Sequence, residues 1–302
     1  MKGLRKGLYA LLTIYLSLTS LFFIIRLAPG DPVERILGPE ARLQDIELLR
    51  QRLGLDLSVW EQYLSFCTGI MTGNLGNSLF KSEKISSLIL THLPPTIIIA
   101  FFSISLAFFL GSMLGIYSGA RKSQIGDGAV RVLSLLALSF PIFSLAPLFV
   151  LIFSIWLQWL PVSEWGGFSH GVLPILSLTV PLAAILTRVS RNRFLEEIHA
   201  PWVTVLHAKG LREMAILVRV LKACLPTLLN VVAIQLSVVL AGTMITETIF
   251  DIPGMGMLLF EGIQNRDYPV VQGVIAYSTI IYMLIYFCVD SLNSWIDPRI
   301  QS

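Results

Sequence analysis

The sequence predicts an all-α membrane protein with six transmembrane helices and both termini in the cytoplasm. Three observations carry that prediction: the composition, the spacing of charge-free runs and the placement of basic residues. Of 302 residues, 55% are apolar and 14% charged, against about 25% charged in an ordinary soluble domain. A soluble core could not bury so much apolar surface. Six stretches lack Asp, Glu, Lys and Arg: 7–25, 93–120, 132–163, 165–187, 223–246 and 268–289. A span needs about 20 apolar residues, so each stretch qualifies. Lys2, Arg5 and Lys6 precede the first, and Arg121, Lys122 and Arg131 follow the second. Arg188, Arg191, Arg193, Lys209, Arg212, Arg219 and Lys222 fill the connection from the fourth to the fifth, and Arg299 follows the sixth. The opposite short connections hold only Arg266. The excess of Lys and Arg marks the cytoplasmic side.

The first run follows three basic residues, as a secretory signal does. A signal core is about 7–15 residues long and ends in small residues. Here the run is longer and ends in Arg26-Leu27-Ala28-Pro29-Gly30, so a retained span is expected. Residues 1–28 are thus the N-terminus and first helix, 29–92 an external helical loop, and 93–302 a five-helix core with a cytoplasmic loop over 190–224. In the external loop, Pro29-Gly30-Asp31-Pro32 must leave the helix. Leu43, Ile46, Leu49 and Leu53 recur at helical spacing between Glu40 and Leu53. A second helix is expected over Leu57–Met71, with Trp60 and Tyr63 suited to the membrane interface. Residues 247–267 form a second external excursion, built on the turn-rich Asp251-Ile252-Pro253-Gly254-Met255-Gly256.

Inside the spans, Gly111, Gly115 and Gly119 stand four residues apart on one helix face. Small residues at that spacing let two helices approach closely in lipid. Pro141 and Pro147 should kink the third span. Counting at about 1.5 Å per residue, Arg188 and Asp290 lie a turn or two inside the cytoplasmic boundary. Aspartate is too short to reach the headgroups, so Asp290 should face the protein interior and find a basic or hydroxyl-bearing partner, with Arg188 or Arg191 the leading candidates.

The chemistry absent from the chain narrows its function. No Gly-x-x-x-x-Gly-Lys-Ser/Thr loop cradles a nucleotide phosphate. No His/Cys/Asp/Glu group has metal-ligand spacing, and Cys67, Cys224 and Cys288 are far apart and odd in number. Neither a metal nor another cofactor is expected, and no basic stripe suits nucleic acid. No span carries a central ionisable residue, which argues against a proton-coupled carrier or a voltage-gated channel. Energy for uphill transport must then enter through a partner. The contact point is the 190–224 loop, where basic residues alternate with Phe194, Leu195, Ile198, Trp202, Val203, Leu206 and Leu211. That mixture is too apolar for a solvated linker and reads as short helices bent at Pro201 and Gly210.

At this loop the sequence resembles the membrane subunits of binding-protein-dependent ABC importers, in particular the oligopeptide, dipeptide and nickel permease family. Pro201-Trp202-Val203-Thr204-Val205-Leu206-His207-Ala208-Lys209-Gly210-Leu211 stands where that family has a cytoplasmic motif ending in Ala-Lys-Gly-Leu. Other matching pieces follow in order, among them Arg26-Leu27-Ala28-Pro29-Gly30-Asp31-Pro32, Gly73-Asn74-Leu75-Gly76, Glu247-Thr248-Ile249-Phe250, Arg266-Asp267-Tyr268-Pro269 and Asp297-Pro298-Arg299-Ile300. The chain departs from the pattern at Pro201-Trp202 and at His207. The resemblance implies a type I ABC importer permease of the bacterial inner membrane. It would pair with a second homologous permease, two cytoplasmic ATPase subunits and an extracytoplasmic solute-binding protein. The cargo it suggests is peptides, with nickel chelates, opines or sugars as alternatives. Trp202, Val203, Leu206, Ala208, Lys209, Gly210 and Leu211 would form the coupling helix seated on an ATPase.

Overall fold

The computed structural model describes residues 2–27, 32–38 and 40–296; the side chains of 2–6, 10, 142, 237, 240–242, 290 and 292–296 lie outside that description. The described residues form helices and turns, with one isolated β-bridge between Asn77 and Lys84. In chain order the helices are α1 (Lys2–Leu27), α2 (Pro32–Leu37), α3 (Leu43–Arg52), α4 (Val59–Thr72), α5 (Ile85–Ala120), α6 (Ile125–Ser139) and α7 (Ile142–Phe149). A π-helical turn (Val150–Trp156) follows, then α8 (Phe168–Ile198), α9 (Pro201–Ala208), α10 (Glu213–Ile249), α11 (Met255–Asn265) and α12 (Tyr268–Ile296).

Five of these helices are long and apolar enough to cross a membrane: α1, α5, α8, α10 and α12. The third expected span is broken. Ile125–Ser139 and Phe143–Trp156 meet at a 105° bend and make a sixth crossing if taken as one. The break sits at Phe140-Pro141, where extended backbone replaces helix. Proline cannot donate to the helical ladder, and its ring crowds the preceding turn. Pro147 lies inside α7 instead, and the helix beyond it widens into the π turn.

The contacts divide the chain into two compact units, residues 1–96 with 253–283 and residues 97–252 with 284–302. In the first, the core is Ile85, Leu88, Ile89, Met255, Leu258, Val270 and Val274. The buried Asp267 carboxylate organises it, accepting from Ser78 Oγ at 2.5 Å, Leu79 N at 3.1 Å and Val270 N at 3.3 Å. Met255 N, at the start of α11, donates to Thr96 Oγ1 at 2.8 Å. The Leu57–Met71 helix forms as α4, opened by a capping box in which Ser58 and Glu61 satisfy each other's backbone N–H. The Ser58 hydrogen bonds hold the Glu61 carboxyl below its usual range. Tyr63 turns inward, its hydroxyl 2.8 Å from Thr19 Oγ1, while Trp60 stays exposed. α3 forms where periodicity placed it, yet none of its residues is buried.

The second unit is built on α5 against α8. A Cβ at Gly111 would stand 2.6 Å from Leu186 Cβ, and one at Gly115 would stand 2.5 Å from the Thr187 carbonyl oxygen. At Gly119 it would meet Phe194 Cδ1 at 2.8 Å. The hydrogen-only side chain is what admits α8 at this distance. Hydroxyls then tie the pair: Ser103 Oγ donates to Ile175 O, Thr179 Oγ1 to Ser103 O and Ser190 Oγ to Ser112 O, each at 3.2–3.3 Å. α10 packs along α8 with Gln235 Nε2 donating to Leu182 O at 2.9 Å.

Gly115→Leu should therefore lower stability by at least the 1–3 kcal/mol typical of overpacking, about, and more because backbone is the obstacle. Gly128→Leu, inside α6 where a Cβ would meet nothing within 4 Å, should not lower stability and should raise it by up to about 1 kcal/mol through helix propensity. Thermal unfolding of the two variants followed by size-exclusion chromatography checks the contrast; equal melting would show that the α5–α8 distance is not limiting.

Candidate functional site

The α8–α10 connection is the candidate site. α8 stops at Ile198, and Pro201 opens α9 at the first helical position, where its missing N–H costs nothing. α9 ends when Lys209 N bonds Val205 O and Leu211 N bonds Leu206 O, with Gly210 left-handed at φ +74°. Glycine accepts that conformation without the penalty a Cβ would bring. A Cβ there would meet nothing within 4 Å, so the constraint is backbone geometry and not space.

The residues expected in the coupling helix fall into two groups. Val203 is 3% exposed, and Trp202, Leu206 and Leu211 pack with it on the core cluster that includes Phe194, Ile216, Val220 and Cys224. These four hold α9 against its own chain. Ala208, Lys209 and Gly210 are exposed, together with Thr204 and Val205, the last at 51%. The apolar side read from periodicity is thus an internal packing face, and the opposite side is the one free to meet another molecule.

A polar brace fixes α9 to the end of α8. Trp202 Nε1 donates to Glu197 Oε2 at 3.1 Å, and the other Glu197 oxygen pairs with Arg193 Nη2. Arg193 also reaches Glu196 at 3.1 Å. At the far end of α9, His207 Nε2 lies 3.2 Å from Glu213 Oε1 across the Gly210 turn. One helical turn back along α8, Arg191 makes a bidentate pair with Asp127, Nε to Oδ1 at 2.7 Å and Nη2 to Oδ2 at 2.8 Å. Ser118 Oγ at 2.6 Å and Ser123 N at 3.1 Å complete the shell of this carboxylate, which is 2% exposed. The α5–α6 connection and α8 are locked together there.

Neither Asp127 nor Glu197 was singled out by sequence reasoning. The charge-free runs assigned Asp127 to a loop, although it opens α6. The pairing expected for Asp290 has a different setting from the one anticipated. Asp290 lies among the residues whose side chains are not described, Arg188 is exposed, and Arg191 is committed to Asp127. The motif pieces at 28–31 and 297–300 also lie outside the described residues.

Residues 111–302 match the family described as binding-protein-dependent transport system inner membrane component, and residues 3–100 match the N-terminal part of such membrane components. The probable peptide ABC transporter permease protein y4tP of Sinorhizobium fredii is 32% identical over 290 residues, covering 93% of each chain. The glutathione transport system permease protein GsiC of Pectobacterium atrosepticum is 32% identical over 290 residues, covering 96% of this chain and 95% of that one. GsiC of Escherichia coli K12 is 30% identical with the same coverage. Among solved structures, an inward-facing MetNI methionine ABC transporter chain superposes with a TM-score of 0.57 at 20% identity, covering 70% of this chain and 97% of that chain. The shared fold is that of an ABC importer permease. The chain belongs to the family of inner membrane components of binding-protein-dependent transport systems.

Proposed function

We propose that this chain forms half of the translocation pathway of an ATP-driven importer of short peptides or peptide-like solutes such as glutathione. The observation that carries the cargo class is full-length identity of 30–32% to permeases named for peptide and glutathione transport. Both termini and α9 lie on the cytoplasmic side of the bacterial inner membrane in this reading, in keeping with the basic residues around them. A second, similar permease completes the pathway. Two cytoplasmic ATPase subunits supply the energy, since this chain has no nucleotide-phosphate loop. A solute-binding protein delivers cargo from outside.

α9 is the coupling helix, and its ATPase-facing surface is Thr204, Val205, Ala208, Lys209 and Gly210. Trp202, Val203, Leu206 and Leu211 serve the same coupling from behind, as the face that makes α9 move with α8 and α10. The Trp202–Glu197–Arg193 brace supports that division, because a docked helix transmits force only if it is fixed to the spans it must move. Gly111, Gly115 and Gly119 are packing positions in this scheme and touch no solute. Membrane lipid is a partner of the exposed apolar faces of α1 and α5.

Ala208→Glu and Gly210→Glu should leave ATP hydrolysis running in the assembled transporter while cutting uptake at least about tenfold, the effect of losing a contact worth 1.4 kcal/mol. Uptake at the normal rate in both would remove α9 from the coupling role. Trp202→Phe keeps an aromatic ring in the packing and removes the N–H together with the smaller ring of the indole. Solute moved per ATP should fall about fivefold, near the ~1 kcal/mol net worth of one hydrogen bond, whereas an inert loop predicts no change. Finally, uptake by reconstituted transporter should survive collapse of the proton gradient and stop when ATP is withheld. The opposite pattern would assign the chain to a secondary carrier.

A further inference from the structure

A cavity of about 370 Å³ lies within the first unit, lined by the last turn of α1, by α4 and the chain before and after it, and by the first turn of α12. Its volume falls in the range of small-molecule sites, about 300–1,000 Å³. The polar lining is Arg26, Gln62, Ser65, Asn74, Tyr268 and Gln272, with no Asp or Glu among the lining residues. Two of these groups are incompletely satisfied. Arg26 stacks its guanidinium 3.5 Å from the Phe22 ring centroid and donates to Phe22 O at 3.0 Å and Gln62 Oε1 at 2.8 Å. Both acceptors are neutral, and among the described residues no carboxylate pairs with it. Gln272 is 7% exposed, and its amide nitrogen has no hydrogen-bond partner. Gln272 lines the cavity, and that nitrogen is the donor it has left to offer there. Asn74 already gives its carbonyl oxygen to Gly76 N, leaving its NH2 as a third donor.

A half-buried cation and a buried donor are each costly unless paired, and a charged acceptor satisfies both at once. We propose that this cavity is a binding site for a single oxyanion group, a carboxylate or a phosphate, held by Arg26 and Gln272. The site lies apart from the α8–α10 connection in sequence and does not depend on what the importer carries. Its ligand is the carboxylate of a small soluble molecule or the phosphate of a phospholipid headgroup. Arg26 closes a membrane-spanning helix and so stands where a headgroup reaches it.

The test is the unfolding temperature of the assembled transporter, purified without ATP in a maltoside detergent that contains neither carboxylate nor phosphate. The probes are trialanine, trialanine amide and phosphatidylglycerol. A rise with trialanine and none with its amide identifies a soluble carboxylate, while a rise with phosphatidylglycerol identifies the lipid. In either case Arg26→Gln and Gln272→Leu should each shift the titration midpoint at least about tenfold, as loss of a charge-assisted hydrogen bond does. Gln272→Leu preserves side-chain volume and does not touch the Arg26–Gln62 bond, so it remains informative if Arg26→Gln folds poorly. No response to any probe, or an equal response in wild type and both variants, overturns the proposal. Because no ATP is present, failure here is separable from failure of ATP-driven uptake.

Discussion

Lipid gives two helices no hydrophobic reason to associate, so α5 and α8 must hold one another through close packing and hydrogen bonds. The three glycines remove side chains where Leu186, Thr187, Ser190 and Phe194 approach. Proximity then brings the Ser103, Thr179 and Ser190 hydroxyls within reach of carbonyls on the opposite helix. Those hydroxyls add little unless the backbones are already near. The order of dependence therefore runs from glycine to distance to hydrogen bond. α8, once placed, sets the position of Arg191, Arg193 and Glu197 at its end.

Charge handling at that end follows the same logic. Asp127 is nearly inaccessible to solvent and accepts four hydrogen bonds, two from Arg191 and one each from Ser118 and Ser123. A buried ion pair is tolerated when every lone pair is met, and removing one partner typically costs about 3–5 kcal/mol. The pair thus makes the geometry of the α5–α6 connection nearly obligatory. Glu197 works at lower cost, being shared between Arg193 and the Trp202 indole. The last two turns of α8 consequently anchor two different segments of the chain, the α5–α6 connection through Arg191 and α9 through Glu197.

Much of this was legible in the sequence because it is periodic or compositional. The spans appear as charge-free runs, the glycines as a repeat of four, and the left-handed turn after α9 as Gly210. The Asp127–Arg191 pair was illegible because 64 residues separate its members and no local pattern announces it. The orientation of α9 was illegible for another reason. Trp202, Val203 and Leu206 show that an apolar side exists, but periodicity cannot say whether the same chain or a partner covers it. α3 makes the same point in reverse, since its helical spacing of leucines and isoleucine forms a helix with nothing buried. Composition alone reads the third span as one continuous run, but Pro141 marks the kink in the sequence, and the 105° break falls at Phe140-Pro141.

That break bears on how the chain enters the membrane during synthesis. α6 has 15 residues, and the following segment runs only from Ile142 to Trp156. At 1.5 Å per residue each piece covers about 22 Å, short of the hydrocarbon thickness of about 30 Å. A bend with extended backbone cannot face acyl chains, where any backbone group left unpaired would cost several kcal/mol. α6 and α7 both pack on α8, which is made after them. Neither piece therefore has a stable resting place in lipid until α8 arrives. Biogenesis of this region must be concerted, with nascent segments waiting at the insertion machinery instead of leaving it one at a time.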